Sequence, residues 1–359
     1  MKQKVIWTLA LLCTVAQGLW AQTSVKSEQE LKDAIADDAN IQLTADIQLS
    51  SYLRITQGRV TIDLNGHKLS RSLSDYSIHG SVIEVDRVGT LILKSSAEGG
   101  SIEGGKAIFG GGIKVFTGGS LSVDGVKFTN NCASDHGGAI FVQSGTNVSF
   151  NNTKFINNSA NDHAGAIWNN GTFTATDCSF LNNTAKDVGA IYNSKTDSGC
   201  GTATLTNCTF TGNVGSTGAG ALANAVGDTE MTIDGCTITD NTAGSRGGGI
   251  WNGGTLNMKG KVTVTGNNKA SGVPSNVFLM TGKVINVTGL DLDGSSIGVE
   301  LESTTGTFTS GWGGYIPSTV FTADLGDIVN LDLDANSEAC ISALSLCLSA
   351  KSSPTVMSS

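Results

Sequence analysis

From about residue 105 to residue 290, apolar and polar positions recur in a frame of about 27 residues. In each unit a turn ending in glycine plus a small residue leads to an aliphatic anchor, at Ile113, Ile140, Ile167, Ile191, Leu222 and Ile250. These anchors are 27, 27, 24, 31 and 28 residues apart. Later in each unit an apolar residue precedes an asparagine by three, as Phe128/Asn131, Phe155/Asn158, Phe180/Asn183, Phe210/Asn213, Ile238/Asn241 and Val264/Asn267. Between the landmarks lie short alternating segments such as Leu121/Val123, Val148/Phe150, Phe173/Ala175, Ala203/Leu205, Met231/Ile233 and Leu256/Met258. Their period of two predicts strands with one buried face, and the 3.6-residue period that helical or leucine-rich repeats would show is absent.

A unit of three short strands cannot bury its apolar face alone and must stack on its neighbours. The prediction is an all-β chain folded as a right-handed parallel β-helix, with glycine at corners that need positive φ and asparagines hydrogen-bonded along one corner. About ten coils at about 4.8 Å each make a rod on the order of 50 Å long. The expected organisation is a leader at 1–21, a cap and first strands at 22–58, the β-helix at 59–290 and a β-rich end with an irregular tail at 291–359. Ser27, with Glu30 three residues on and Leu31 and Ile35 at helical spacing, predicts a short capping helix. Such a cover protects the open end of a solenoid from end-to-end pairing.

The same alternation sorts the side chains that follow each anchor. With Ile167 inward, Trp168 points outward, giving an outward aromatic row of Phe141, Trp168, Tyr192 and Trp251, broken by Ala223. Asn169, Asn193, Asn224 and Asn252 form an inward polar row, and Cys178, Cys208 and Cys236 share one inward position that Val126 and Thr153 fill in earlier coils. Coil spacing is compatible with a disulfide between stacked cysteines, but the favoured reading is free thiols packed as small hydrophobes.

Charge and composition narrow the function. Lys2 and Lys4, the apolar run from Val5 to Val15 and the small-residue end at Ala21 have the layout of a secretory signal peptide, so the mature chain is expected to start at Gln22. Cleavage leaves 20 basic against 31 acidic residues, a formal charge of −11. An acidic chain with no basic cluster lacks the footprint of a nucleic-acid binder. No later segment has the apolar length of a membrane helix. Seven cysteines remain, an odd count that does not suggest a disulfide framework.

Written out, the landmarks are Gly-Gly-Ala-Ile at 137–140, its variants at 164–167 and 188–191, and the Phe-x-x-Asn set. Together they resemble the repeat of the chlamydial polymorphic outer membrane proteins, and bacterial parallel β-helix repeat proteins more broadly, over residues 105–290. Residues 60–69 are similar to the opening coil common in secreted β-helices. The resemblance implies a pectate-lyase-like solenoid on an adhesin secreted to, or exposed on, a bacterial outer surface, with an extracellular glycan or cell-surface protein as partner. One departure is that those autotransported adhesins carry a long membrane barrel at the C-terminus, whereas residues 291–359 show no such pattern and leave the attachment route unexplained.

Two constellations carry candidate chemistry. Asp135, Asp162 and Asp187 each lie four residues past a ladder asparagine in successive coils, flanked by His136, His163 and Lys186. Repeated carboxylates at one corner can share Ca²⁺ and serve a polysaccharide lyase or hydrolase, with a basic residue such as Lys186 abstracting a proton. The structural alternative is that aspartate suits turns by bonding its own backbone. Arg246 occupies the equivalent corner two coils beyond Lys186, too far along the axis to join the group. The aromatic row Phe141, Trp168, Tyr192 and Trp251 can stack on sugar faces or dock a partner, or can simply stabilise neighbouring strands. The leading reading is a non-enzymatic adhesin-like binding protein without a required cofactor, the first rival an enzyme at the aspartate corner, and the second a structural spacer.

Overall fold

The computed structural model describes residues 22–331 apart from 292, 304, 307, 312–319 and 325–329. The expected leader at 1–21 and the tail with Cys340 and Cys347 lie outside the described residues. The chain is a nearly all-β parallel solenoid of about ten turns, with about 2% helix.

Each coil places three strands on three faces, and every face is a parallel ladder whose register follows the sequence landmarks. On the anchor face Ile113, Ile140, Ile167, Ile191, Leu222, Ile250 and Val277 lie in one column. On the middle face Leu121, Val148, Phe173, Ala203, Met231 and Leu256 do the same. The ladder face stacks Phe128, Phe155, Phe180, Phe210, Ile238 and Val264. All these columns point into one continuous apolar core. Along the phenylalanine column the rings stack face to face at 5.1, 4.7 and 4.5 Å. Full burial of each such ring contributes about 1.5–3 kcal/mol.

Stacking reaches beyond both ends of the expected β-helix. Thr23–Val25 already pairs in parallel with Asn40–Leu43, which pairs with Leu53–Asp63. At the other end Phe321–Ala323 pairs with Ser296–Leu301. Between the first two strands lies the capping helix α1, Glu28–Ala34, whose N-cap Ser27 hydroxyl accepts from the Glu30 amide and whose Leu31 is fully buried. The 31-residue spacing before Leu222 holds an antiparallel hairpin, Lys195–Thr196 with Gly199–Cys200, that projects from the coil without disturbing its register.

The corners are tight because single residues in the left-handed region turn the chain. Asn130, Asn157, Asn182 and Asp240 hold φ of 54° to 59° just before their ladder asparagines, where Gly212 and Gly266 serve in other coils. Asparagine and aspartate tolerate this region at small cost, so the corners need less glycine than the sequence suggests. The ladder asparagines that follow are fully buried and reciprocally satisfied. The side-chain oxygen of Asn158 accepts both the amide and the side-chain NH₂ of Asn131 at 3.1 Å, and its own NH₂ reaches Phe128 O at 3.0 Å and Asn183 at 3.0 Å. This unit repeats through Asn183, Asn213, Asn241 and Asn267 to Asn276. Asn169, Asn193, Asn224 and Asn252 form a second buried ladder with links of 2.8 to 2.9 Å. The thiols of Cys178, Cys208 and Cys236 are unpaired and buried in one row, as the core-thiol reading expects.

Candidate binding face

After the ladder face each coil makes a short fourth strand or turn before re-entering the anchor face. Cys132–His136 pairs with Lys106–Phe109 on one side and with Ser159–Ala160 on the other. The glycines that follow hold this corner against the anchor face. A Cβ on Gly137, at φ 67°, would lie 2.1 Å from Ile140 O, and one on Gly138 would lie 2.2 Å from Gly165 O. The corner strand therefore folds back over the outer surface of the anchor face.

Two rows of side chains interlock in that fold. The first is the outward row of the anchor face, which the register extends in both directions from the aromatic set: Arg54, Glu84 and Lys114 precede Phe141, Trp168 and Tyr192, and Ala223, Trp251, Phe278 and Glu300 follow. The second row, on the corner strand, includes Phe109, His136 and His163 in direct register. His79 belongs to the same corner one coil earlier, two residues past Ser77, which bridges Ala107. Phe109 packs on Phe141 at 4.9 Å, His136 on Trp168 at 5.4 Å and His163 edge-on to Tyr192 at 5.2 Å. Phe141 and Trp168 stack at 4.6 Å and 7°.

This packing corrects one expectation. Phe141 and Trp168 do point away from the central core, but they are only 7% and 6% exposed because the corner strand covers them. They form a second, smaller core outside the sheet, not an open platform. Tyr192 and Trp251 are half-buried and keep an accessible edge, with Ala223, Val188 and Ala219 packed between them.

The predicted aspartates and histidines converge at the rim of this second core. His136 Nδ1 lies 3.0 Å from Asp135 Oδ1, and His163 Nδ1 lies 3.3 Å from Asp162 Oδ1 and 3.9 Å from Asp187 Oδ2. Lys186 Nζ approaches Asp162 at 4.0 Å. The two imidazoles stack at 4.9 Å and 19°. Both Nδ1 atoms are enclosed yet make no hydrogen bond, although carboxylate oxygens lie nearby. Burial lowers the His136 pKa, outweighing the pull of Asp135 upward. Arg246 stands apart: its guanidinium lies over Phe278 at 4.8 Å and faces Glu300 and Glu302 at 4.0 and 3.8 Å.

Sequence reasoning missed the polar end of the same double row. Glu84 is 1% exposed, and its Oε1 lies 3.1 Å from Nδ1 of the more open His79, which stacks on Tyr52 at 4.8 Å. The loop carrying His79 is tied down by the buried Arg71, whose Nη1 donates to His79 O and Ser81 O. Lys114, the next residue along the row, lays its ammonium over Phe109 and Phe116 at 5.4 and 4.7 Å, and burial lowers its pKa. Lys114 was legible, since it follows Ile113 as Phe141 follows Ile140. Glu84 and His79 were not, because their coil lacks the Gly-Gly-x-Ile signature.

Among known families, the model of the Chlamydia polymorphic membrane protein repeat matches residues 125–143. That stretch contains both Phe128-x-x-Asn131 and Gly137-Gly-Ala-Ile140. The chain is thus a parallel β-solenoid that carries a repeat of this kind. No curated protein and no solved structure matches it at a significant level. Among the described residues, no helix is long and apolar enough to cross a membrane.

Proposed function

We propose that this protein is an exported, surface-exposed, adhesin-like rod that binds an extracellular glycan or a cell-surface partner along the face bearing Tyr192 and Trp251. The repeat it shares with a membrane-protein family supports the surface setting, and residues 1–21 supply export in this reading. The observation that carries the binding role is the half-open aromatic pair. Tyr192 and Trp251 flank Ala223 in one column, two coils or about 9.6 Å apart. Aromatic faces stack on the apolar faces of sugar rings, and at the Tyr192 end the part-exposed carboxylates of Asp162 and Asp187, grouped around His163, can accept hydrogen bonds from sugar hydroxyls. Phe141 and Trp168 act behind this surface by fixing the rows. Immobilised glycan panels and cell-surface extracts provide the test. Tyr192→Ala/Trp251→Ala loses binding without loss of fold if the reading is right, and equal binding by the double variant overturns it.

A second reading, a polysaccharide lyase or hydrolase, is favoured by the Asp135/His136 and Asp162/His163 pairs. Release of unsaturated or reducing ends by the native chain, abolished in Asp162→Ala, would establish it in place of simple binding.

A further inference from the structure

We propose that His136, Asp162 and His163 form a binding site for a borderline divalent cation, with Zn²⁺ the preferred ion. One ligand atom from each residue lies within 4.8 Å of the other two. His136 and His163 are bridged directly between adjacent coils, so the backbone already holds the ligands at one coil spacing. A tetrahedral zinc with bonds of about 2.0–2.2 Å needs its donor atoms about 3.4 Å apart. The remaining closure of a little over 1 Å falls on side-chain torsions of Asp162 and His163, which are 39% and 31% exposed. It also requires the two rings to tilt out of their 19° stack, since in-plane lone pairs converge only then.

The second observation is independent of spacing. The Nδ1 atoms of His136 and His163 are two of three enclosed side-chain polar atoms without a hydrogen bond among the described residues. Leaving such an atom unpaired costs about 1–3 kcal/mol, and here the two belong to stacked rings whose ligand atoms lie within 4.8 Å of each other and of Asp162. A cation coordinated by both nitrogens satisfies them together.

Donor chemistry selects the metal. Calcium takes six to eight oxygen ligands, and a pair of imidazoles is a poor substitute, whereas imidazole with carboxylate suits Zn²⁺, Ni²⁺ or Cu²⁺. Asp135, 3.0 Å from His136 Nδ1, and Asp187, 3.9 Å from His163 Nδ1, provide the next oxygen donors. The ammonium of Lys186 opposes the site at 4.0 Å from Asp162 but is 62% exposed and free to swing away. This inference does not rest on the adhesin reading and stands or falls separately from it.

The experiment is calorimetric titration of the chelator-stripped full chain with ZnCl₂ and with CaCl₂, with thermal unfolding read alongside. The expected result is one Zn²⁺ per chain with a raised Tm, no comparable effect of Ca²⁺, and a Kd weakened by about 100-fold or more in His163→Gln and in the near-isosteric Asp162→Asn. Cys132→Ser/Cys200→Ser must keep the site. Absence of stoichiometric Zn²⁺ binding, undiminished binding by the histidine and aspartate variants, or loss of binding only in the cysteine variant overturns the proposal.

Discussion

His136 and Trp168 sit on different strands of different coils, yet their rings lie 5.4 Å apart and 12° from parallel. That contact joins the corner strand to the anchor face. It makes the outer surface of the solenoid a packed layer where alternation alone would leave it bare.

Trp168→Ala should therefore behave as a core truncation and cost about 3–5 kcal/mol. Trp251→Ala, on a half-buried ring, should cost less than half of that. Urea unfolding of the two variants checks this. Equal, small losses would mean that the corner strand does not cover Trp168.

Asn183→Ala removes the acceptor of the Asn158 amide and NH₂ groups and the donor to Phe155 O and to Asn213. At about 1–3 kcal/mol for each buried group left unpaired, partly relieved by relaxation, a loss on the order of 3 kcal/mol is expected. Because each rung depends on the next, Asn158→Ala/Asn183→Ala should lose less than the sum of the single variants.

The ladder ends on an acid: Asp324 accepts the Asn276 amide at 2.6 Å and its NH₂ at 2.7 Å. Burial raises the Asp324 pKa above 3.8, with the Asn276 donors pulling against it. A raised folded-state pKa means that this carboxyl costs nothing below the unfolded value and destabilises as pH climbs through the folded one. Asp324→Asn removes the charge that burial disfavours and, by turning its single carbonyl to take both donors now split between Oδ2 and Oδ1, recreates the arrangement of the other rungs. It should raise Tm at pH 7 and lose that advantage below about pH 4.

The opposite end has the opposite sign. Burial pushes Glu28 upward, but the Lys32 ammonium and donors from Ser50 and Ser51 outweigh it and bring its pKa from 4.5 down to about 2. The stability this adds is present above about pH 4.5 and disappears as pH falls toward 2. Screening at a surface position limits it to roughly 1 kcal/mol. Amide protection factors in α1, corrected for the intrinsic pH dependence of exchange, should fall selectively over that window, and Glu28→Gln should abolish that fall.

For the thiol row, Cys178 is drawn down upon by neither solvent nor cation: the Cys208 thiol and burial both raise its pKa. At Cys208 the Cys178 thiol lowers the pKa, while the Cys236 thiol and burial raise it, for a balance of about 12. Thiolate is the reactive form. Alkylation of the native chain followed by peptide mapping should label Cys132 and Cys200 and spare Cys178 and Cys208 until unfolding. A disulfide between any two of the buried row would contradict this.

What the sequence determined is the stack. Anchors such as Ile140 and Ile167, the Phe155-x-x-Asn158 unit and the two-residue alternation place the columns of the central core and both asparagine ladders, because a coil repeat fixes neighbours in space as well as in sequence. The anchor column also continues back through Ile83 to Leu53, in coils that lack the Gly-Gly-x-Ile signature. The fate of the outward row was decided only by the tertiary structure. Alternation says that Trp168 leaves the central core. It does not say what lies beyond, and the glycine corner that folds His136 back over that ring is a contact between segments whose meeting depends on a turn's backbone angles and not on any periodicity.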